Sequence, residues 1–284
     1  MRVKKLRLNQ FRNYAELFLE FPKSLNIFVG ENAQGKTNLL EAIYFLALGR
    51  SYRTSRDAEL VQWEAAEALV QAEIERELAS VRIEVRLQRD GGKEIRVGHE
   101  TLRRHGDLFG HVNVVVFSPD DLQLVKGPPA LRRRFLDLEI AQVSAAYRHH
   151  FARYQRVLRQ RNNLLKAVQG GQAPPDMLEA WDPQLVADGA RIVAKRAEAL
   201  RRLSAWSEET HRTISGGREA LRLVYVPFFS EGESPKPWWE DPAAVEERFW
   251  DALRKVRKEE IIRGVTLVGP QRDDIAFMAG EVDL

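Results

Sequence analysis

The stretch VGENAQGKTN, residues 29–38, decides how the rest of this sequence is read. Gly30, Gly35, Lys36 and Thr37 fit the spacing G-x-x-x-x-G-K-[ST]. Glycines let the backbone curl until successive N–H groups point at one anion. A helix opening at Lys36 adds the positive end of its dipole. The ammonium of Lys36 reaches the outer phosphates, and the Thr37 hydroxyl is a ligand for Mg²⁺. The context agrees with the spacing. LNIF and Val29 form an apolar run before the loop, and KTNLLEAIYFLAL (36–48) behind it is amphipathic. Gly30, Glu31, Asn32, Ala33, Gln34, Gly35, Lys36 and Thr37 are therefore the candidate contacts to the phosphates of ATP, with Thr37 on Mg²⁺.

The other classes of phosphate-loop protein fit less well. A GTPase needs an N-K-x-D motif to read its base, and none occurs. A small-molecule kinase rarely carries a long helical insertion. Apolar residues make up 44% of the 284, enough for a large core. The absence of cysteine excludes disulfides and thiolate metal sites. The longest apolar run near the start, AIYFLAL (42–48), is far below the ~20 residues that span a bilayer. No secretory leader follows the basic start, so a cytoplasmic protein without membrane contact is expected.

Pattern divides the chain. Residues 3–8, 16–21 and 25–29 read as strands, as do two or three segments between 68 and 98 around the turn RDGGK. VNVVVF (112–117) reads as a buried strand. Residues 131–168 then lack Gly and Pro and repeat apolar positions at Leu136, Ile140, Val143, Tyr147, Phe151, Tyr154, Leu158, Leu165 and Val168, with Arg161 interrupting the stripe. QGGQAPPD turns the chain, and a second helical stretch runs to about 214. At ~1.5 Å per residue each arm of this antiparallel hairpin spans roughly 50 Å. A strand at 220–229, an acidic proline-rich loop, a helix at 243–263 and two terminal strands follow. Two segments imitate catalytic motifs. ISGGRE (214–219) leads into a strand and not a helix, so it reads as a glycine turn. In VVVFSPDD (114–121), Ser118 and Pro119 part the apolar run from Asp120, so it reads as a helix cap.

Together NQFRNY (9–14), GENAQGKTN (30–38), GRSYRT (49–54), FSPDDLQLVKGPPALRRRFLD (117–137) and GPQRDD (269–274) resemble, in order and along the whole chain, the RecF family of bacterial ABC/SMC-like ATPases. Gln271 departs from the histidine more usual in the family. The resemblance implies an α/β phosphate-loop head with an inserted helical arm. Residues 1–122 would be the head (lobe I), 123–262 the arm (lobe II), and 263–284 strands returning to the head. It also implies ATP with Mg²⁺, an ATP-dependent homodimer, and binding to single-stranded or gapped DNA. RecO and RecR are the implied partners, with recombinase loading and SOS induction as the outcome. The family's signature and metal-binding acids occur nowhere in these residues, so the C-terminal part of the head is expected to be missing and no catalytic residue is assigned. The family is a slow DNA-dependent ATPase. The alternative is a DNA- or partner-binding module that only retains nucleotide binding.

Charge supplies a separate pointer to DNA. Residues 131–166 hold nine Lys/Arg against Asp137 and Glu139, a surplus of +7 in a chain of net +3. Arg153, Arg156 and Arg159 on this arm, and Arg50 and Arg53 beside the phosphate loop, are the candidate DNA contacts.

Overall fold

A computed structural model describes residues 1–76, 79–230, 235–280 and 282–283. Residues 231–234 of the acidic loop, and Glu281 and Leu284 of the last expected strand, lie outside the described residues. The chain divides into two compact units, Met1–Phe117 and Ser118–Leu284.

The first unit is built on strands β1 (Arg2–Phe11), β2 (Tyr14–Glu20), β3 (Glu67–Glu75), β4 (Ser80–Gln88), β5 (Lys93–Val97) and β6 (Glu100–Thr101). They form one antiparallel sheet in the order β2-β1-β3-β4-β5-β6. Period-two alternation fixes the register. Leu6 stands opposite Ala72, Leu8 opposite Val70, and Val70 opposite Val85. This row is fully buried, and helix α1 (Lys36–Leu48) packs against β3 and β4. The other face carries pairs such as Lys5–Glu20 and Arg7–Glu16. The buried side of α1 comprises Leu39, Glu41, Ala42, Phe45, Leu46, Ala47 and Leu48. Leu40 is exposed and Ile43 only partly buried.

Two expected strands did not form. Residues 25–29 and 112–117 are irregular. Leu25, Ile27 and Val29 are exposed, and so are Val115 and Phe117. Their apolar composition reports a wish for burial, but a strand also needs a neighbour to receive its backbone hydrogen bonds.

The second unit contains α2 (Gln123–Lys126), α3 (Pro129–Val143), α4 (Ala145–Gln169), α5 (Asp182–Ser215) and α6 (Pro242–Arg263). Strands β7 (Leu221–Val226), β8 (Asp274–Ala279) and β9 (Val282–Asp283) complete it. The expected continuous helix from 131 breaks at Ser144, whose side chain accepts the Tyr147 N–H and starts α4 afresh. Val143, at the break, is therefore exposed. With 25 and 34 residues, α4 and α5 measure ~38 and ~51 Å. They pair as a hairpin, but α6 packs against both, so the arm is a three-helix body with its own core. Gly189 permits this: a Cβ there would meet Phe249 of α6 and Tyr154 of α4.

The unit boundary falls at 117/118 and not after 122. Residues 263–284 also depart from expectation. Strand β8 pairs antiparallel with β7, from Leu221↔Ala279 to Val226↔Asp274, so the terminal strands complete a sheet of the second unit. The cap reading of 114–121 and the glycine-turn reading of 214–219 both hold. Ser118 and Asp121 form a reciprocal cap, and Gly216 and Gly217 with positive φ join α5 to β7.

Arg161, which interrupted the apolar stripe, is fully buried. Its guanidinium donates to Asp182 (2.8 Å), Glu260 (2.7 Å) and the Thr266 hydroxyl (2.7 Å). It thus ties α4 to the start of α5, the end of α6 and the segment before β8. Arg161→Met should cost about 3–5 kcal/mol, because it strands the buried carboxylate of Glu260 and leaves Asp182 to Arg257 alone. Adding Glu260→Gln should restore much of the loss, as read by thermal and urea unfolding.

Candidate nucleotide and nucleic-acid sites

The phosphate loop runs from Gly30 into α1. Gly35 caps the helix at φ +101°, a left-handed conformation natural to glycine. A Cβ there would also strike Asn13 and Tyr14. The N–H groups of Lys36, Thr37 and Asn38 open the helix and have no acceptor among the described residues. The Lys36 ammonium folds back onto the carbonyls of Gly30 (2.7 Å) and Glu31 (2.6 Å). Free N–H groups, a helix N-terminus and a lysine held only by carbonyls fit a polyphosphate. The exposed Thr37 hydroxyl fits one position on a magnesium ion. Among the described residues, no group of three His, Asp or Glu could hold a metal.

Behind the loop lies a feature the sequence reading did not single out. Glu41, one turn into α1, is fully buried. Arg12 grips its carboxylate with two bonds (2.9 and 2.6 Å), Ser51 donates a third, and Arg53 a fourth at 3.1 Å. Arg53 also donates to the Asn38 side-chain oxygen Oδ1 (2.7 Å), and the Asn38 side-chain amide donates to Asn13 Oδ1 (2.8 Å). NQFRNY, GENAQGKTN and GRSYRT thus meet around one carboxylate and hold the helix that carries Lys36. Burial works against the charge of Glu41. The donors from Arg12 and Ser51, with the charges of Arg12 and Arg53, outweigh it and hold the carboxyl below its ordinary range. A charged residue on an otherwise apolar helix face was the available signal.

The remaining two motifs meet in the second unit. Arg196 of α5 is buried and donates twice to Asp137 (2.9 and 3.0 Å), then to Asp273 (2.8 Å) and the Pro270 carbonyl (2.6 Å). Arg132 grips Asp274 with two bonds. The run RRRFLD and the loop GPQRDD are thereby fastened together.

The candidate DNA residues separate into two kinds. Arg53 is committed to Glu41 and Asn38, Arg50 stands over the Phe109 ring, and Arg153 pairs with Asp188 (3.2 Å). Arg156 and Arg159 are exposed on α4 and have no carboxylate partner among the described residues. The surplus of +7 overstates the free charge of the arm. Arg132, Arg148 and Arg161 serve internal carboxylates or carbonyls.

Comparison with known proteins agrees with this geometry. Residues 2–238 match the family described as RecF/RecN/SMC N terminal domain. Over 284 residues the chain is 42% identical to the "DNA replication and repair protein RecF" of Halalkalibacterium halodurans, covering all of this chain and 75% of that one. It is 40% identical to the protein of the same description from Bacillus cytotoxicus, covering 98% and 72%. A solved structure described as the "recombination mediator protein RecF-ATP in RecFOR pathway" superposes with a TM-score of 0.91 at 31% identity, covering 99% of this chain and 74% of that chain. Its counterpart with "RecF-ATPrS" gives 0.89 at the same identity. The fold and loop are those of an ABC/SMC-like ATPase head. Within that class, the chain belongs to the RecF family of DNA replication and repair proteins. Among the described residues, no helix is long and apolar enough to cross a membrane.

Glu41 generates a pH prediction. Its folded pKa lies below the ordinary 4.5, so its contribution to stability is complete above that value. It is lost as pH falls through the lower, folded value. Glu41→Gln should cost about 3–5 kcal/mol at neutral pH by leaving Arg12 uncompensated. It should also flatten the acid limb of a plot of unfolding free energy against pH.

Proposed function

We propose that this chain binds ATP with Mg²⁺ at residues 30–37 and DNA through the outer face of α4. In this reading it acts in recombinational repair and replication in the cytoplasm. The observation that carries the reading is the loop itself: unpaired N–H groups at the mouth of α1, with the Lys36 ammonium held only by carbonyls. The loop N–H groups and Lys36 would hold the triphosphate, and Thr37 would give one oxygen to the metal. When bound, Mg²⁺ would supply neutralisation of the phosphate charge. Glu41 has a supporting part. It fixes α1 against Arg12 and Arg53, so that the loop meets its ligand without reorganising.

The family membership supports the finer expectations of an ATP-dependent homodimer, partnership with RecO and RecR at single-stranded or gapped DNA, recombinase loading and SOS induction. A second reading is a DNA- or partner-binding module that retains nucleotide binding without turnover.

ATP–Mg²⁺ at ~100 times its dissociation constant should stabilise the chain by about 2.7 kcal/mol. Lys36→Ala should abolish the shift in melting temperature. A steady-state phosphate-release assay on residues 1–284 should show no turnover above the Lys36→Ala background. Activity in the first protein alone would favour the first reading over the second. For DNA, Arg156→Glu with Arg159→Glu should weaken binding. Each lost contact should lower the slope of log K against log salt by roughly 0.7–0.9. The same double change at Arg50 and Arg53 is the comparison.

A further inference from the structure

Helix α4 has no Asp or Glu among its 25 residues. The carboxylate that meets its first half comes from α5. Asp188 is almost fully buried, and two side chains of α4 share it. His150 Nδ1 lies 2.9 Å from Oδ1, and Arg153 Nε lies 3.2 Å from Oδ2. The arginine is poorly aligned, and Oδ2 accepts no hydrogen bond among the described residues. Arg153 is thus held by charge alone, with 47% of its side chain exposed. Arg156, three residues on and also exposed, is its neighbour along the helix surface.

A carboxylate withdrawn from water needs a cation. With His150 neutral, that cation is Arg153, and a phosphate that drew Arg153 away would strand Asp188. With His150 protonated, the imidazolium answers Asp188, and Arg153 becomes the surplus cation. The other charged groups around His150 are matched among themselves. Arg191, Lys195, Glu198 and Glu240 line the same cleft. Lys195 pairs with Glu198 (2.6 Å), Arg191 with Glu246 of α6 (3.3 Å), and Glu240 with Arg201 (2.5 Å). On α4 itself, Arg148 donates to the Ala141 carbonyl (2.6 Å). The exposed His149 ring meets that of His150 edge-on at 5.5 Å.

We propose that His150 is a proton-operated positioning residue, which frees Arg153 to bind a nucleic-acid phosphate. The inference rests on the reading of α4 as the DNA face. Imidazole is the side chain whose charge ordinarily changes between about pH 5 and 8. Arg153 on Asp188 repels a proton from His150, whereas Arg153 on a phosphate does not. The bound form therefore holds the proton more tightly. By reciprocity, affinity for DNA rises as pH falls through the imidazole range.

The test is fluorescence anisotropy of a labelled gapped duplex on the whole chain, between about pH 8 and 6 at constant salt and ATP–Mg²⁺. For the unaltered protein, log K should rise as pH falls, by up to about one unit per pH unit for one linked proton. His150→Gln should remove that slope, and so should Arg153→Gln. His149→Gln should keep it, because that ring meets no carboxylate among the described residues. A slope that survives His150→Gln overturns the proposal. So does one that His149→Gln removes equally, which would mean general charge on the face. If His150→Gln fails to fold, Arg153→Gln decides. A lost slope supports the coupling, whereas an ordinary phosphate contact would lower affinity alike at every pH and refutes it. Arg156→Glu with Arg159→Glu separates the two readings. Unweakened binding there removes α4 as the DNA face, and this inference with it. Weakened binding there, beside a flat profile for the unaltered protein, removes the inference alone.

Discussion

A charge taken out of water must be answered inside the protein, and both units of this chain are organised by that requirement. In the second unit, Arg196 sits midway along α5 and is almost fully buried. It reaches Asp137 at the end of RRRFLD and Asp273 in GPQRDD, residues more than a hundred positions apart in the chain. Asp273 in turn accepts from Tyr225 on β7 and from the backbone of Phe228. One guanidinium thus sets the relation of two helices, a sheet and a loop. Arg161 does the same at the other end of the helical body. Apolar packing around Tyr154, Ile192 and Phe249 supplies the driving force, but that force is non-directional. The buried pairs specify which arrangement is adopted.

The first unit repeats the device with the sign reversed. There a carboxylate, Glu41, is buried and arginines come to it. The consequence is functional, because Glu41 lies on the helix that begins at Lys36. Motifs that looked like separate landmarks are the two sides of one set of ion pairs. This explains why NQFRNY and GRSYRT carry arginines at all. Arg12 and Arg53 hold the phosphate-loop helix in place, and Arg53 is correspondingly less available to an outside phosphate.

Local chemistry was legible in the sequence. The phosphate loop was found from glycine spacing and the helix behind it, since both are properties of neighbouring residues. The hairpin strands β3, β4 and β5, the turn at RDGGK, the cap at Ser118 and the glycine turn after α5 were found for the same reason. The break at Ser144 was not visible, because it needs no Gly or Pro: a serine hydroxyl capping a new helix suffices. Residues 25–29 and 112–117 were read as strands on composition, which reports a preference for burial and carries no information about a pairing partner.

By itself the sequence determined the class of the protein. Spacing, alternation and the order of five motifs are local features, and they point to an α/β phosphate-loop head with a helical insertion. Only the tertiary structure decided which charges are free. Nine cations in 131–166 look alike in one dimension. In three, Arg161 is sealed in a core, Arg132 is clasped by Asp274, Arg156 and Arg159 face water, and Arg133 stands half-buried on the Asp273 carbonyl. It also placed β8 beside β7, against the expectation that the terminal strands belong with the head. The reason is common to all these cases. A side chain's partner is chosen by proximity after folding, and the residues that answer one another here lie up to 142 positions apart.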